Sequence, residues 1–226
     1  MIEKNSYRNF LVLQLAFMLS CPVILDEGLI GKIIEMLLGL SLLTMGIMMT
    51  NKRRKGWLAA SSPFLLAAVV VLWLYGIFHP GLWGLTLLRI SLFILFFMRV
   101  VFVVAQHVFL SPRVSTSNRL YGAMSVYVMI SAFFANLFQL LNILHPDSFV
   151  CHSVLCPDGV DAAFGMGVHF YYSLATMTTV GFGDITPATP FAAMVSAMEA
   201  LLGQLYVAIV VARLVGLHLL ENGQQS

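Results

Sequence analysis

Residues Thr176 to Asp184 read TMTTVGFGD, and their types and spacing could do chemistry. Two glycines alternate with bulky residues, a threonine pair precedes them, and an aspartate closes the run. Glycine reaches backbone angles that other residues adopt only with strain, so this run can hold its peptide groups in an irregular arrangement. Apolar segments flank the run on both sides. Irregular backbone at membrane depth is tolerated only where it lines a wet cavity or lies inside protein, and the run predicts one of these settings.

The composition indicates a membrane protein. Hydrophobic residues make up 60% of the 226 residues, and charged residues make up only 10%. A soluble domain is nearer a quarter charged, so this chain cannot cover itself with polar surface in water. The net charge of +2 is too small to indicate nucleic-acid binding. We therefore expect membrane lipid as a partner and no nucleic acid.

Six segments are long and apolar enough to cross a bilayer as helices, which takes roughly 20 residues each. The predicted spans are Phe10–Leu25, Leu29–Met49, Trp57–Phe78, Leu82–Leu110, Leu120–Leu144 and Phe191–Leu220. A seventh apolar piece, Phe164–Met177, is too short to cross and runs into the glycine motif. The sequence therefore predicts an all-α membrane protein with six transmembrane helices and one re-entrant helix per chain.

Charged residues between the spans indicate the orientation. Basic residues precede the first span and follow the second and fourth, whereas the other loops carry aspartate, glutamate or histidine. Because positive residues mark the cytoplasmic side, both termini are expected in the cytoplasm. The compact chain favours a plasma membrane, such as the inner membrane of a bacterium. Alternatively, the basic N-terminus and the apolar run ending at Cys21 could be a signal peptide or a lipoprotein-type cleavage site.

The predicted order of elements is fifth span, outer loop, re-entrant helix, glycine motif and sixth span. In this order the motif resembles the selectivity filter of the potassium-channel family, which reads T-V-G-Y/F-G. The matching residues are Thr179, Val180, Gly181, Phe182 and Gly183. The resemblance covers about 120–220, and the first four spans resemble six-transmembrane, voltage-gated-like channels in number and topology. It implies passive conduction of K⁺ by a homotetramer, because each chain supplies one filter segment.

The resemblance also implies how K⁺ would be held. An ion entering a narrow pore loses its hydration shell, and rings of backbone carbonyls from four chains replace the lost water. By analogy, K⁺ binds at the carbonyls of Thr179, Val180, Gly181 and Phe182, and the Thr179 hydroxyl completes the innermost site. The alternating glycines let successive carbonyls face the axis. No cofactor is expected besides K⁺ ions in the filter.

Further residues are implied to support the filter. Thr178 would end the pore helix near the cavity, and Asp184 would accept a hydrogen bond from Tyr171 on that helix. The partial negative charge at the helix C-terminus would favour a cation in the cavity. Ala175 stands where some relatives have a glutamate, so that additional carboxylate is missing. Asp161 could cap the start of the pore helix or be a solvated loop charge.

The sixth span is expected to carry the gate. Gly203 lies 20 residues after Gly183, where the family places its hinge glycine. A helical glycine costs roughly 1 kcal/mol relative to alanine and allows bending, and close helix packing is the alternative. Glu199 could pack behind the pore helix or attract cations, and Arg213 is expected to reach towards lipid headgroups. On a 3.6-residue period, the face that could line the cavity consists of Gln204, Val207, Ala208 and Val211.

The fourth span argues against a strong voltage sensor. It contains Arg89 and Arg99, ten residues apart, rather than an arginine at every third position. Glu35 and Arg89 each lie about seven residues into a span from outside, so both are roughly 10 Å deep and could pair. A static salt bridge is favoured over a moving sensor. The short connector SPRVSTSNR suggests that the four-span part packs on the pore of its own chain.

Two cysteines lie in the outer loop before the pore helix. Cys151 and Cys156 have four residues between them. An outward-facing loop is oxidising enough for a disulfide, which is the favoured interpretation. The nearby His145 and His152 leave a metal site as an alternative.

The predicted organisation follows from these assignments. It comprises a voltage-sensor-like domain at 1–110, a linker at 111–119, a pore domain at 120–220 and a cytoplasmic tail at 221–226. Within the pore domain, the pore helix is placed at 164–178, the filter at 179–183 and the inner helix at 189–220. The tail has no room for a ligand-binding domain, so gating would come from the membrane, pH, the filter or an unidentified regulatory subunit.

Alternative functions remain open. The chain could be a non-conducting or regulatory membrane subunit, a less selective cation channel, or a membrane enzyme or transporter with a re-entrant loop. We expect no enzyme, because nothing in the sequence resembles a nucleophile–base pair. A transporter would be expected to show paired broken helices, and the sequence has one interruption.

Overall fold

The computed structural model describes residues 6–19, 67, 71–72, 83–110, 116–152 and 166–223. A 3₁₀ turn spans Pro146–Ser148. The strands are β1 (Phe149–Cys151) and β2 (Ile185–Pro187). The helices are α1 (Ser6–Leu19), α2 (Trp83–Leu110), α3 (Thr116–Leu144), α4 (Met166–Met177) and α5 (Pro190–Gly223).

Three of these helices are long and apolar enough to cross a membrane. They contain the stretches Gly84–Gln106 in α2, Ser117–Leu144 in α3 and Pro190–Arg213 in α5, which coincide with the predicted fourth, fifth and sixth spans. The first predicted span overlaps α1, whose apolar stretch, Tyr7–Leu19, is shorter. The second and third predicted spans lie outside the described residues, apart from residues 67 and 71–72. The six-span count and the orientation therefore stay predictions.

Several helix ends differ from the predicted boundaries. Helix α3 begins at Thr116, so residues 116–119 of the predicted linker are helical. Helix α5 continues to Gly223 and takes in the first residues of the predicted tail. Helix α4 ends at Met177, one residue before the predicted end. Hydropathy locates the part of a helix that suits lipid, whereas a helix continues through polar residues wherever its backbone bonds can form.

The expectation of an all-α fold is wrong in one detail, because β1 and β2 form a small sheet. His152 N–H donates to Asp184 O at 2.7 Å, and Ala188 N–H donates to Ser148 O at 2.9 Å, on either side of the paired residues. Three-residue strands are too short for alternation of polarity to reveal them. The sheet ties the chain that follows the glycine motif to the chain that follows α3. The strands are antiparallel, with the register Phe149↔Pro187, Val150↔Thr186 and Cys151↔Ile185.

One face of α2 packs against α1 and α3 through apolar side chains, which we call the apolar helix contact. Phe96, Val100, Val104 and Val108 of α2 are buried and recur every four residues, so they share one helix face. Within the chain, helix α2 thus packs on α3, and the packing of the whole four-span part on the pore of its own chain stays a prediction. The residues that these four meet in the cluster are Tyr7 and Phe10 of α1, and Ala123, Val126 and Met129 of α3.

A second cluster holds α4 between α3 and α5. Its centre is three aromatic rings that meet at steep angles: Phe138 lies 5.4 Å from Phe149 and 5.1 Å from Tyr172, and Phe149 lies 5.2 Å from Tyr172. Edge-to-face rings at these separations attract one another beyond the area they bury. Because Tyr172 belongs to α4, this cluster places the helix that leads into the glycine motif. The remaining members are Phe134, Leu141, Val168, Ile185 and Ala192.

Candidate functional site

The glycine motif leaves α4 as a non-helical stretch that stays bonded to the helix. The N–H groups of Val180 and Gly181 both donate to the carbonyl oxygen of Ala175, at 3.0 and 3.2 Å. Within the described residues, no hydrogen bond ends on the carbonyl oxygens of residues 179–182. The N–H side of the motif is therefore occupied by α4, and the carbonyl side is open.

The handedness of the backbone alternates along the motif. Thr179, Gly181 and Gly183 have φ angles of +58°, +55° and +80°, whereas φ is not positive at Val180 and Phe182. When left-handed and right-handed residues alternate, successive N–H groups turn to one side of the chain and the carbonyls to the other. This alternation of φ is the pattern that allows the carbonyl oxygens of residues 179–182 to share one side.

The two glycines are needed for their backbone angles rather than for space. A Cβ atom built on Gly181 or Gly183 would meet no atom within 4 Å. Residues with a side chain rarely adopt a positive φ, and glycine adopts it freely. Thr179 adopts one nevertheless, at a cost on the order of 1–3 kcal/mol. Backbone strain of this kind is common at functional sites, where the surroundings impose it.

Asp184 closes the motif and is held by three donors. The Tyr171 hydroxyl donates to Oδ2 at 2.9 Å, the Ile185 N–H donates to Oδ1 at 3.0 Å, and the His152 N–H donates to the backbone oxygen at 2.7 Å. Tyr171 and Asp184 are the pair that the resemblance implies. The Tyr171 ring also stacks on Phe182 with centroids 6.3 Å apart. The outer end of the motif is therefore attached both to α4 and to the sheet.

The electrostatics of the Tyr171–Asp184 pair favour this arrangement of donor and acceptor. Burial, together with the hydrogen bond to Asp184 and its negative charge, raises the pKa of Tyr171 above its ordinary value. The phenol therefore keeps its proton at neutral pH and remains a donor to the carboxylate.

The inner end of the motif rests between α3 and α5. The carbonyl oxygen of Met177, the last residue of α4, accepts a hydrogen bond from the Tyr127 hydroxyl of α3 at 3.0 Å. A Cβ built on Gly203 of α5 would lie 2.4 Å from the same oxygen. Helix α5 continues without interruption through this position. Close packing against Met177 therefore accounts for the glycine, which is the alternative to the predicted hinge.

The predicted cavity-lining residues lie on an exposed face of α5. The side chain of Gln204 reaches the glycine motif, and its Nε2 donates to Thr179 Oγ1 at 3.3 Å. The Thr179 hydroxyl donates in turn to Thr178 O at 2.7 Å. Helical periodicity groups Gln204 with its neighbours and does not reveal this contact. The exposed members of this face are Gln204, Val207, Ala208 and Val211.

Two charged residues of α5 make contacts within the chain. Glu199 is fully buried, and its Oε1 is hydrogen-bonded to the Ser173 hydroxyl of α4, so it packs behind that helix. The Arg213 guanidinium donates to Phe109 O at the end of α2 and lies 5.4 Å from the centroid of the Phe109 ring. Arg213 therefore has a partner within the chain, and the expectation that it reaches towards headgroups stays a prediction. Cationic side chains are favourable at a helix C-terminus, where carbonyls lack helical partners.

Some predicted sites involve residues outside the described part of the chain. These are Glu35, Cys156 and Asp161, so the Glu35–Arg89 ion pair stays a prediction. Cys151 is disulfide-bonded, with a partner outside the described residues. A bonded sulfur cannot serve as a thiolate ligand. Across the described ranges, no three His, Cys, Asp or Glu side chains lie close enough together to hold a metal ion.

Comparison with known proteins gives the site a class. Residues 150–217 match the family model described as an ion channel. They carry an ion-channel domain. The match covers less than a third of the chain and includes the glycine motif and most of α5. It supports passive ion conduction in a membrane, and the matched family is not an enzyme family, as predicted. No curated protein and no solved structure matches the chain.

Proposed function

We propose that the protein is a K⁺-selective channel in which the carbonyl oxygens of residues 179–182 replace the hydration shell of the ion. The carrying observation is the alternating handedness of the backbone, together with four carbonyl oxygens that accept no hydrogen bond from the described residues. A dehydrated cation in a narrow pore is held by such carbonyl dipoles. The N–H groups of Val180 and Gly181 are bonded to the Ala175 carbonyl of α4, so this part of the backbone cannot turn without breaking those bonds.

The two ends of this row are held by different contacts, which supports a filter of constant shape. Tyr171 and the sheet hold Asp184 at the outer end, and Tyr127 and Gly203 enclose the Met177 carbonyl at the inner end. A carbonyl row selects between ions only if the positions of the oxygens persist when the ion changes. Clamping both ends of a stretch this short restricts those positions.

One chain supplies one wall of such a filter, and we propose that four copies surround the axis. A second exposed stripe of α5, beside the face that contains Gln204, supports association between copies. Large apolar side chains recur along this stripe at positions i, i+4, i+7 and i+11, a spacing typical of helices that pack together. In a tetramer, this stripe would be covered by a neighbouring copy or by lipid. The residues of the stripe are Met194, Met198, Leu201 and Leu205.

We further propose that voltage has a weak effect on opening or none. Arg89 and Arg99 both lie half-buried on α2, about 15 Å apart along the helix axis at 1.5 Å per residue. A helix with two such widely spaced charges has no ladder of equivalent positions to step through. The proposal includes six spans, both termini in the cytoplasm and residence in a plasma membrane.

Ion flux into liposomes tests the function. Purified protein should pass K⁺ and Rb⁺ much faster than Na⁺, and Ba²⁺ should block the flux. Equal K⁺ and Na⁺ fluxes would contradict selectivity and indicate a less selective cation channel. No flux at any voltage or pH from intact tetramers would favour the non-conducting or regulatory subunit.

A pair of glycine substitutions tests the filter itself. Gly181→Ala places a side chain at a φ of +55° with no steric obstruction, and Gly84→Ala on α2 adds the same methyl in open space without a positive φ. A left-handed alanine costs roughly 1–2 kcal/mol in each copy. We expect Gly181→Ala to lower the Rb⁺/Na⁺ flux ratio at least about tenfold and Gly84→Ala to leave it unchanged. An unchanged ratio in Gly181→Ala would show that this backbone does not form the filter.

A further inference from the structure

Glu199 belongs to a buried polar cluster that joins three helices behind the glycine motif. Ser131 of α3, Ser173 of α4 and Glu199 of α5 are each fully buried. Ser173 Oγ lies at the centre: it contacts Ser131 O at 2.7 Å, Ser131 Oγ at 2.9 Å and Glu199 Oε1. One hydroxyl of α4 therefore touches oxygen atoms of both neighbouring helices.

The surroundings of Glu199 contain no charge that would compensate a carboxylate. Within the described residues, Glu199 pairs with no cationic side chain, and its Oε2 has no hydrogen-bond partner. The titratable groups that face it are Tyr127 of α3 and Tyr172 of α4. Each phenol already donates its proton elsewhere, to Met177 O and to Ser196 Oγ. An ionised carboxylate without a partner is costly to bury, and more so within a membrane.

Counting protons identifies the donor in each contact of the cluster. Three oxygen–oxygen contacts converge on Ser173 Oγ, and each needs one proton. A hydroxyl supplies one proton and accepts two, and the Ser131 backbone carbonyl supplies none. An ionised Glu199 leaves two protons for three contacts. With a proton on Glu199, that carboxyl and the Ser131 hydroxyl donate to Ser173, and Ser173 donates to Ser131 O, so every contact is satisfied.

We propose that Glu199 is a neutral carboxylic acid whose O–H group donates to Ser173, and that it thereby positions α4 and the glycine motif against α3 and α5. This inference rests on the proposed channel function for its effect on ions. Glu199 does not face the ions and is a positioning residue. It acts through Ser173, which lies less than one turn along α4 from Ala175 and Thr176, whose carbonyl groups receive the motif's N–H bonds. Its role requires a donated proton and no negative charge.

Infrared spectroscopy of the purified full-length tetramer tests the proton directly. The wild-type protein should show the carbonyl stretch of a protonated carboxylic acid at neutral pH, and Glu199→Gln should lack that band. A difference spectrum between the two proteins without such a band would overturn the proposal. This measurement needs no ion flux, so it still decides the position of the proton if the tetramer proves not to conduct and the proposed function fails.

Two substitutions of similar volume test the positioning role. Gln keeps a neutral donor at position 199, whereas Met removes the donor without adding a charge. We expect the Rb⁺/Na⁺ flux ratio to stay within about twofold of wild type in Glu199→Gln and to fall about tenfold in Glu199→Met. Raising the pH until the infrared band of the wild type disappears should lower the wild-type ratio and leave that of Glu199→Gln unchanged.

Each result bears on the inference separately. A Glu199→Gln protein as unselective as Glu199→Met would show that donation to Ser173 is not what positions the motif. A wild-type ratio that stays constant while the band disappears would also contradict it. If Glu199→Met fails to assemble, the infrared band and the pH profile of Glu199→Gln still decide. If no variant conducts, thermal unfolding of the tetramer should keep Glu199→Gln close to the wild type, and its marked destabilisation would contradict the inference.

Discussion

The contact of α2 with α3 and the contact of α4 with its neighbours use different chemistry. The buried residues that α2 contributes to the apolar helix contact are all apolar, with Val100 and Val104 among them. Around α4, hydrogen bonds accompany the aromatic packing. The Tyr172 hydroxyl donates to Ser196 Oγ at 2.8 Å, and the Tyr127 hydroxyl donates to Met177 O at 3.0 Å. We call the second group, together with the Ser131–Ser173–Glu199 cluster, the polar helix contact.

This difference follows from what each contact has to maintain. Lipid tails are as apolar as valine or leucine, so apolar packing between helices in a membrane depends on shape and tolerates small shifts. A hydrogen bond weakens steeply when its distance or angle changes, so a set of them restricts two helices to one register. The carbonyl row of the glycine motif begins at the end of α4. The helix whose position matters most for that row is thus the one held by directional bonds.

The largest expected difference between the two contacts comes from adding one methyl group to each. A Cβ on Gly203 would lie 2.4 Å from Met177 O, and a Cβ on Gly122 would lie 2.4 Å from a methyl carbon of Val108. The Val108 methyl belongs to a side chain of the apolar helix contact, whereas the Met177 carbonyl is backbone at the start of the motif. We expect Gly203→Ala to abolish K⁺-selective flux and to destabilise the tetramer by about 1–3 kcal/mol, with little effect of Gly122→Ala on selectivity.

The measurement is Rb⁺ and Na⁺ uptake in liposomes, with thermal unfolding of the same preparations. Equal loss of selectivity in both variants would show that the two contacts do not differ as argued. Normal flux in Gly203→Ala, with altered opening alone, would restore the hinge interpretation of this glycine.

The sequence predicts the long helices because a run of about 20 apolar residues crosses a bilayer as a helix, in which the backbone groups are paired with one another. The predicted spans Leu82–Leu110 and Leu120–Leu144 differ from α2 and α3 by four residues or fewer at either end. The Tyr171–Asp184 pair follows from the resemblance of the motif, which carries a fixed spacing within one short segment. Local patterns therefore sufficed for these features.

The remaining features depend on which helix faces meet. Ser173 and Glu199 are 26 positions apart and come together because α4 lies across α5, a geometry that hydropathy does not encode. The Gly203 contact with Met177 has the same origin. A buried glutamate in a predicted span was the one available signal, since an ionisable residue in a membrane needs a functional or structural partner. The identity of that partner depends on how α4 packs against α5, which the sequence pattern does not specify.

A smaller difference in selectivity is expected from removing one tyrosine hydroxyl near the glycine motif and one near the apolar helix contact. Tyr171→Phe deletes the hydrogen bond to the Asp184 carboxylate, and bonds to charged groups contribute about 1.5–3 kcal/mol. Tyr121→Phe makes the same change at a half-buried ring that packs against the apolar helix contact. We expect the Rb⁺/Na⁺ ratio to fall about tenfold in the first variant and to stay constant in the second. If both ratios stay constant, the outer end of the motif is held by the sheet alone.

The smallest change in selectivity is expected from replacing one valine by alanine in each of the two contacts, which removes two methyl groups each time. Val104 of α2 and Val168 of α4 are both buried, and replacing either by alanine should lower the free energy of unfolding by about 1–2 kcal/mol. Val104→Ala should leave the Rb⁺/Na⁺ ratio unchanged, because Val104 belongs to the cluster of α1, α2 and α3 and not to the cluster around α4. Val168→Ala loosens α4 itself, so a fall of a few-fold in the ratio is expected despite a similar loss of stability.

Flux ratios and unfolding temperatures of the two variants, measured side by side, separate stability from selectivity. Equal flux ratios at equal loss of stability would mean that the hydrogen bonds of the polar helix contact hold α4 without help from its apolar packing.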